Sequence, residues 1–252
     1  MKLYDEIICK MQDILDAADS RILPVGGTAW PQVSDRSMIL RSDMAYELGG
    51  EGLPAIGCTV ITADDKLVSA DGITLLGEDL PQIRKDVPYA RVALVRVREE
   101  MLGEGQALYS AVRALEYTRY HFYPEGFMMR VSTSGQKECV RIGKEALRKG
   151  LDFTKAGNGM LSAFHRNTAV EAVHIYYVTL REFDYNALEA YAKEAERITK
   201  TIDHILKNVV MDCNACSLQK VCDEVEGLRE LHFKGNMTMT VGGSVRIPIN
   251  KK

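Results

Sequence analysis

The chain has little that would place it in a membrane, on a nucleic acid or outside the cell. No apolar run approaches the roughly 20 residues needed to span a bilayer. Its 32 basic and 35 acidic side chains leave a formal net charge of -3, so no surplus of positive charge draws it to nucleic acid or to an anionic lipid surface. The opening residues, Met1-Lys2-Leu3-Tyr4-Asp5-Glu6, bring acidic groups early and lack the continuous apolar core of a signal peptide. The expected compartment is the cytoplasm. There, clustered cysteines serve as metal ligands or redox groups more often than as disulfides. There is no P-loop, no nucleophile elbow and no dinucleotide fingerprint. Gly49-Gly50-Glu51-Gly52 reads as a turn rather than a phosphate cradle, because no helix clearly follows it. No internal repeat or low-complexity segment is present.

What remains is an ordinary globular composition. The 252 residues suffice for one large domain or two smaller ones. Residues 3–18 carry Leu3, Ile7, Ile8, Met11, Ile14 and Leu15 at helical spacing. From residue 37 to 98 the runs become short and β-branched, as in Met38-Ile39-Leu40-Arg41, residues 56–62 and residues 91–97, with Gly, Asp and Pro between them. This predicts a mostly antiparallel β unit. Helices are expected over residues 105–121, 135–149 and 158–166, strands over 127–132 and 169–180, and a long helix over 185–206. Short strands at 231–233 and 237–247 are expected to follow. The fold class is α+β: a β-rich N-terminal part, then a mixed strand–helix part ending in a cysteine loop. The division is placed at residue 104, giving units 1–104 and 105–252.

The most informative stretch is Cys213-Asn214-Ala215-Cys216-Ser217-Leu218-Gln219-Lys220-Val221-Cys222, followed by His232. Three of the six cysteines fall within these ten residues. A CxxC spacing lets two thiolates from one turn reach a single metal or cluster. With Cys222 and His232 the set has four donors. Zinc would close it as a tetrahedral Cys3His site, and a [4Fe–4S] cluster, which normally takes four thiolates, accepts histidine in some centres. The bland alternative is a free thiol pair with Cys222 as a small buried side chain. Cys9, Cys58 and Cys139, assigned to a helix, a strand and a helix, read as buried small residues. His174, inside an apolar strand, reads as a satisfied core histidine, and His121, His165 and His204 have no partner at ligand spacing. Arg130, Lys137, Arg141, Lys144, Arg148 and Lys149 crowd one segment and read as a solvated helix face, with an acidic or nucleotide-like ligand as the sharper alternative.

Several stretches together resemble the middle part of acetyl-CoA synthase, the beta component of the carbon monoxide dehydrogenase/acetyl-CoA synthase complex. They are Met44-Ala45-Tyr46-Glu47-Leu48-Gly49-Gly50, Glu125-Gly126, Gly135-Gln136 and Arg141-Ile142-Gly143-Lys144-Glu145-Ala146, followed by the long helix and the Cys-x-x-Cys loop. The resemblance runs in order from about residue 37 to residue 232. It implies that Cys213 and Cys216 match the first pair of ligands of a [4Fe–4S] cluster, with Cys216 at the position that bridges to nickel. Cys222 matches the third ligand after a shortened spacer, and His232 stands where the fourth cysteine is expected. The family's Cys-Gly-Cys, which seats the distal nickel, does not occur in these residues. Nor does its N-terminal domain, and the tryptophan expected after Gly135-Gln136 is absent; the one tryptophan is Trp30.

The expectation is an iron–sulfur protein of anaerobic one-carbon metabolism, with a redox or accessory role beside a corrinoid protein, a ferredoxin or a carbon monoxide dehydrogenase-like partner. A structural zinc scaffold is the alternative, and an enzyme using Cys216 as a bridge to a different metal ranks last. Without a Cys-Gly-Cys, nickel has no square-planar seat here. The purified chain should therefore form no acetyl-CoA from CO, a methyl donor and coenzyme A; product in that assay would show that nickel finds another seat.

Overall fold

Two nine-residue strands, buried along most of their length, form the centre of the main sheet. The computed structural model describes residues 2–33, 38–101, 106–131 and 136–206. Its elements run α1 (Asp5–Asp16), β1 (Arg21–Leu23), β2 (Met44–Leu48), β3 (Ala55–Thr62), β4 (Gly72–Leu76) and β5 (Tyr89–Val97). They continue α2 (Gln106–Tyr117), β6 (Phe127–Val131), β7 (Glu138–Gly143), α3 (Lys144–Arg148), α4 (Phe153–Phe164), β8 (Val170–Val178) and α5 (Tyr185–Leu206). The fold is α+β.

The main sheet has the order β1-β4-β8-β5-β3. β3 and β5 are parallel, from Ala55 opposite Tyr89 to Thr62 opposite Arg96. This replaces the mostly antiparallel unit expected over residues 37–98. The reason is legible in the burial: both strands are buried along almost their whole length, which is the signature of parallel strands covered on both faces. β8 lies between β4 and β5, parallel to the first and antiparallel to the second. Strands from either side of residue 104 thus share one sheet.

Alternation along the strands decides what covers each face. On one face, Thr62 Oγ1 donates to Asp5 of α1 at 2.8 Å and Tyr176 donates to Asp16 at 3.4 Å. There α1, α2 and α5 pack together and on β3. On the other face, Phe153 of α4 stacks on Tyr177 with ring centroids 4.5 Å apart. Gly157 of the same helix sits against Ile73, where a Cβ would come within 2.7 Å of the Ile73 side chain. α4 begins at Phe153, five residues before the sequence pattern suggested, because Asp152 caps it by accepting from Lys155 N at 2.7 Å.

The second sheet, β2-β7-β6, is antiparallel and lies on that same face, with β7 against β3 and β5. Two expectations are corrected here. Residues 135–149 do not form one helix: 138–143 are a strand and only 144–148 are helical. Glu138, Val140 and Ile142 alternate inward with period two and are buried, and that tertiary burial overrides the helical reading. Residues 38–41 are not a strand; the strand begins at Met44.

One charged pair joins the two sheets. Arg91 of β5 donates from Nε and Nη2 to the two carboxylate oxygens of Glu138 on β7, each at 2.8 Å. Both side chains are 0% exposed. Arg91 also donates from Nη1 to the Cys58 carbonyl at 3.2 Å. Burial opposes the charge on Arg91, yet the Glu138 carboxylate holds its pKa above the ordinary arginine value. Gly57 makes the room: a Cβ there would lie 2.3 Å from a Glu138 oxygen. Removing one partner strands the other charge in the core, so Glu138→Ala should cost about 3–5 kcal/mol in urea denaturation. An Arg91→Met/Glu138→Leu double variant should recover most of that loss. If the double variant is as unstable as the single one, the loss does not come from a stranded charge.

Candidate functional site

α5 is the element that leads from the folded core towards the cysteine segment. Its bounds agree with the helix expected over residues 185–206, and Tyr185, Leu188, Ala192, Ala195, Ile198 and Ile202 form its buried stripe. Asp184 starts it by accepting from Ala187 N at 3.0 Å, and Tyr185 anchors it by donating to the Leu180 carbonyl at 2.9 Å. Each fully buried aliphatic side chain of this stripe contributes about 1.5–3 kcal/mol.

Near its C-terminal end α5 carries a polar anchor inside the apolar stripe. Thr199 Oγ1 lies 2.9 Å from Tyr4 Oη and 3.0 Å from Glu116 Oε1. Arg113 donates to the other Glu116 oxygen at 2.5 Å. An ionised Glu116 only accepts, so Thr199 donates to it and Tyr4 donates to Thr199. Burial raises the Glu116 pKa against the opposing pull of Arg113, the Thr199 hydrogen bond and Arg119. Burial likewise raises the Tyr4 phenol out of the titrating range.

Cys213, Cys216, Cys222 and His232 lie outside the described residues, as do the strands expected at 231–233 and 237–247. Among the described residues no group of three or more His, Cys, Asp or Glu side chains is placed to hold a metal ion. Cys58 is buried, and burial pushes its thiol up to about 12, so it stays protonated. Cys139 is buried on β7 rather than on a helix, donates to the Gly49 carbonyl at 2.9 Å and also has a raised pKa from burial. Cys9 departs from expectation: it is exposed on the outer side of α1, because the buried positions Ile7, Ile8, Met11 and Leu15 leave it off the apolar stripe.

His174 and His165 behave as side chains of the scaffold. His174 shares a 2.8 Å hydrogen bond with Thr74, stacks on Tyr176, and has its pKa lowered by burial. His165 has an acidic partner that sequence spacing does not show: Asp71, at 2.9 Å across the fold. The Gly49–Gly52 stretch is a turn, with Gly49 and Gly52 at positive φ. The basic residues are not one helix face. Arg130 on β6 and Arg141 on β7 both pair with Glu47 of β2, while Arg148 pairs with Glu145 and Lys149 with Glu125.

The Arg91–Glu138 pair and Arg119 escaped sequence reasoning. Arg119 is buried, donates from Nη1 to the Gly57 carbonyl, and reaches Gln136 Oε1 at 3.2 Å. The available signal was a single arginine, Arg91, within the apolar run Tyr89-Ala90-Arg91-Val92-Ala93-Leu94-Val95. A buried arginine requires a buried acid.

Residues 32–183 match the sequence model of the CO dehydrogenase/acetyl-CoA synthase complex beta subunit. The chain belongs to this family. No curated protein matches it. The matched residues run from before β2 to beyond β8 and include both sheets, except the short edge strand β1. α1, α5 and the four cysteine-segment donors lie outside them. Among the described residues no helix is long and apolar enough to cross a membrane.

The anchor on α5 gives a pH dependence of definite sign. A carboxylate whose pKa is raised on folding adds stability that is fully present below the ordinary glutamate value and is lost as pH rises through the raised one. The urea midpoint of the wild type should fall over that window, and Glu116→Gln should flatten the fall. Parallel pH profiles for the two proteins would mean that Glu116 does not titrate there.

Proposed function

We propose that this member of the CO dehydrogenase/acetyl-CoA synthase beta family is an iron–sulfur protein with a redox or accessory role in one-carbon chemistry. Cys213, Cys216, Cys222 and His232 would hold a [4Fe–4S] cluster. The observation that carries the reading is the donor set itself. Three thiolates and an imidazole lie within twenty residues, the first of them seven residues past the end of the helix that the core anchors through Thr199. The other cysteines are buried and protonated or stand alone on a helix surface, so this segment offers the soft ligands that iron–sulfur chemistry needs. Bound there, the cluster would supply one-electron transfer. The chain's own contribution is to fix the helix from which the ligand segment departs. Its partners would be proteins of the same chemistry: a corrinoid protein, a ferredoxin or a carbon monoxide dehydrogenase-like subunit.

A second reading rests on the same donors. Cys3His is a set that zinc closes tetrahedrally with no open position, which would make the chain a scaffold or interaction protein without catalysis.

Metal content and the visible absorption spectrum of protein purified without oxygen distinguish the two. About four irons per chain, with a broad visible band that Cys213→Ala abolishes, is the expected result. One zinc and no colour would select the scaffold reading, and neither metal would end both.

A further inference from the structure

Outside the core and the α5 anchor, the outer face of the second sheet stands out. Residues 38–40 belong to neither sheet and touch the second one through Met128 and Arg141. Ile39 points inward and is 7% exposed, with its N–H donating to Met128 Sδ at 3.3 Å. Both of its neighbours face solvent: Met38 is 74% exposed and Leu40 56%. Two large apolar side chains thus stand in water on either side of one buried residue. Methionine and leucine presented together are adaptable contact groups.

Their surroundings are cationic. Arg141 donates from Nη1 to the Ile39 carbonyl at 3.4 Å, and Lys144 donates to the Ser42 carbonyl at 2.9 Å. Arg130 and Arg141 share the one carboxylate of Glu47. Arg41 follows Leu40 directly and is exposed. Among the described residues, Glu47 and Asp43 are the acidic groups beside Arg41, Arg130, Arg141 and Lys144, Asp43 lying next to Ser42 Oγ at 3.2 Å. This face is positive on a chain whose net charge is -3.

We propose that this face is a docking surface for a protein partner whose contact patch is apolar at its centre and rimmed by carboxylates. Met38 and Leu40 supply the buried contact, and the surrounding guanidinium and ammonium groups meet the acidic rim and set the approach. An apolar centre is what separates this surface from a site for a small anion, which would need the cations alone. The proposal does not rest on the metal reading: it concerns the described face and holds whichever ion the cysteines bind.

The test uses the full chain labelled at its methionine methyl groups and a synthetic helical peptide with leucines on one face flanked by glutamates. The peptide should shift the Met38 resonance. Affinity should fall about tenfold or more in Met38→Ser/Leu40→Ser, and should fall with added salt or when the peptide's glutamates are replaced by glutamine. Met38 and Leu40 are exposed, so an unchanged thermal midpoint confirms that the variant is folded. Absence of a Met38 shift, or binding indifferent to the double substitution, overturns the proposal. Inorganic pyrophosphate reproducing the Met38 shift in the wild-type protein and displacing the peptide would also overturn it, by identifying a small-anion site.

Discussion

The two sheets meet through a charge pair that neither could bury alone. Arg91 and Glu138 are each fully enclosed, and each is tolerable there only because the other supplies two parallel hydrogen bonds. The pair fixes how β7 lies across β5 and β3, and so fixes the second sheet on the first. Neighbouring features follow from it. Position 57 has no space for a side chain because the Glu138 carboxylate occupies it. The Cys58 carbonyl is drawn into the third Arg91 hydrogen bond. The Gly57 carbonyl on the outer side of β3 accepts from Arg119, and the Gly57 N–H donates to the Gln136 carbonyl at 2.7 Å. β3 is the last strand of its sheet, and such an edge invites pairing with another chain. Here the residue at the entrance to β7 and a buried arginine cover it. Gln136 adopts φ 52 to do so, a backbone state that costs something for a non-glycine residue and persists because the surroundings hold it.

The helices were legible in the sequence where one stripe is apolar and the other face is charged. α1, α2 and α5 show such a stripe, and each was recognisable. The sheets were less legible because their strands break the simple patterns. β3 and β5 are apolar on both faces, so alternation gave no direction to their pairing. β7 carries Glu138, Arg141 and Lys144 in and just after the strand, which reads as a charged helix until the burial of Glu138 by Arg91 is known. β1 is three residues long, too short for any period to show. The turn at Gly49–Gly52 was legible because glycine spacing marks positive φ directly. The cysteine segment was legible as a set of donors at metal-ligand spacing, and local pattern says nothing of how a chain presents it.

α5 shows how a helix can be both core and lever. Its stripe buries apolar surface like any other, yet at Thr199 the stripe is interrupted by a hydroxyl that bonds to groups from α2 and from the residue preceding α1. A methyl group in that place would bury as well, but it would leave Glu116 without that hydrogen bond in an apolar setting. The polar chain therefore adds direction to attachment that apolar packing alone leaves loose. It also places a titratable group where one end of the helix is held. The pKa of that group is set mainly by burial, and only secondarily by Arg113.

The whole-chain charge conceals how charge is distributed. A net value of -3 is an average over unlike surfaces. α1 contributes Asp5, Glu6, Asp13 and Asp16 against Lys10 alone, while the outer face of the second sheet gathers arginines around a single glutamate. Solvent screens charges more than about 8–10 Å apart at physiological ionic strength, so a partner meeting one face feels that face and little of the other. The electrostatics that matter for recognition are therefore set by topology. Pairing β6 with β7 and β7 with β2 brings Arg130, Arg141 and Glu47 together, from positions that are far apart along the chain.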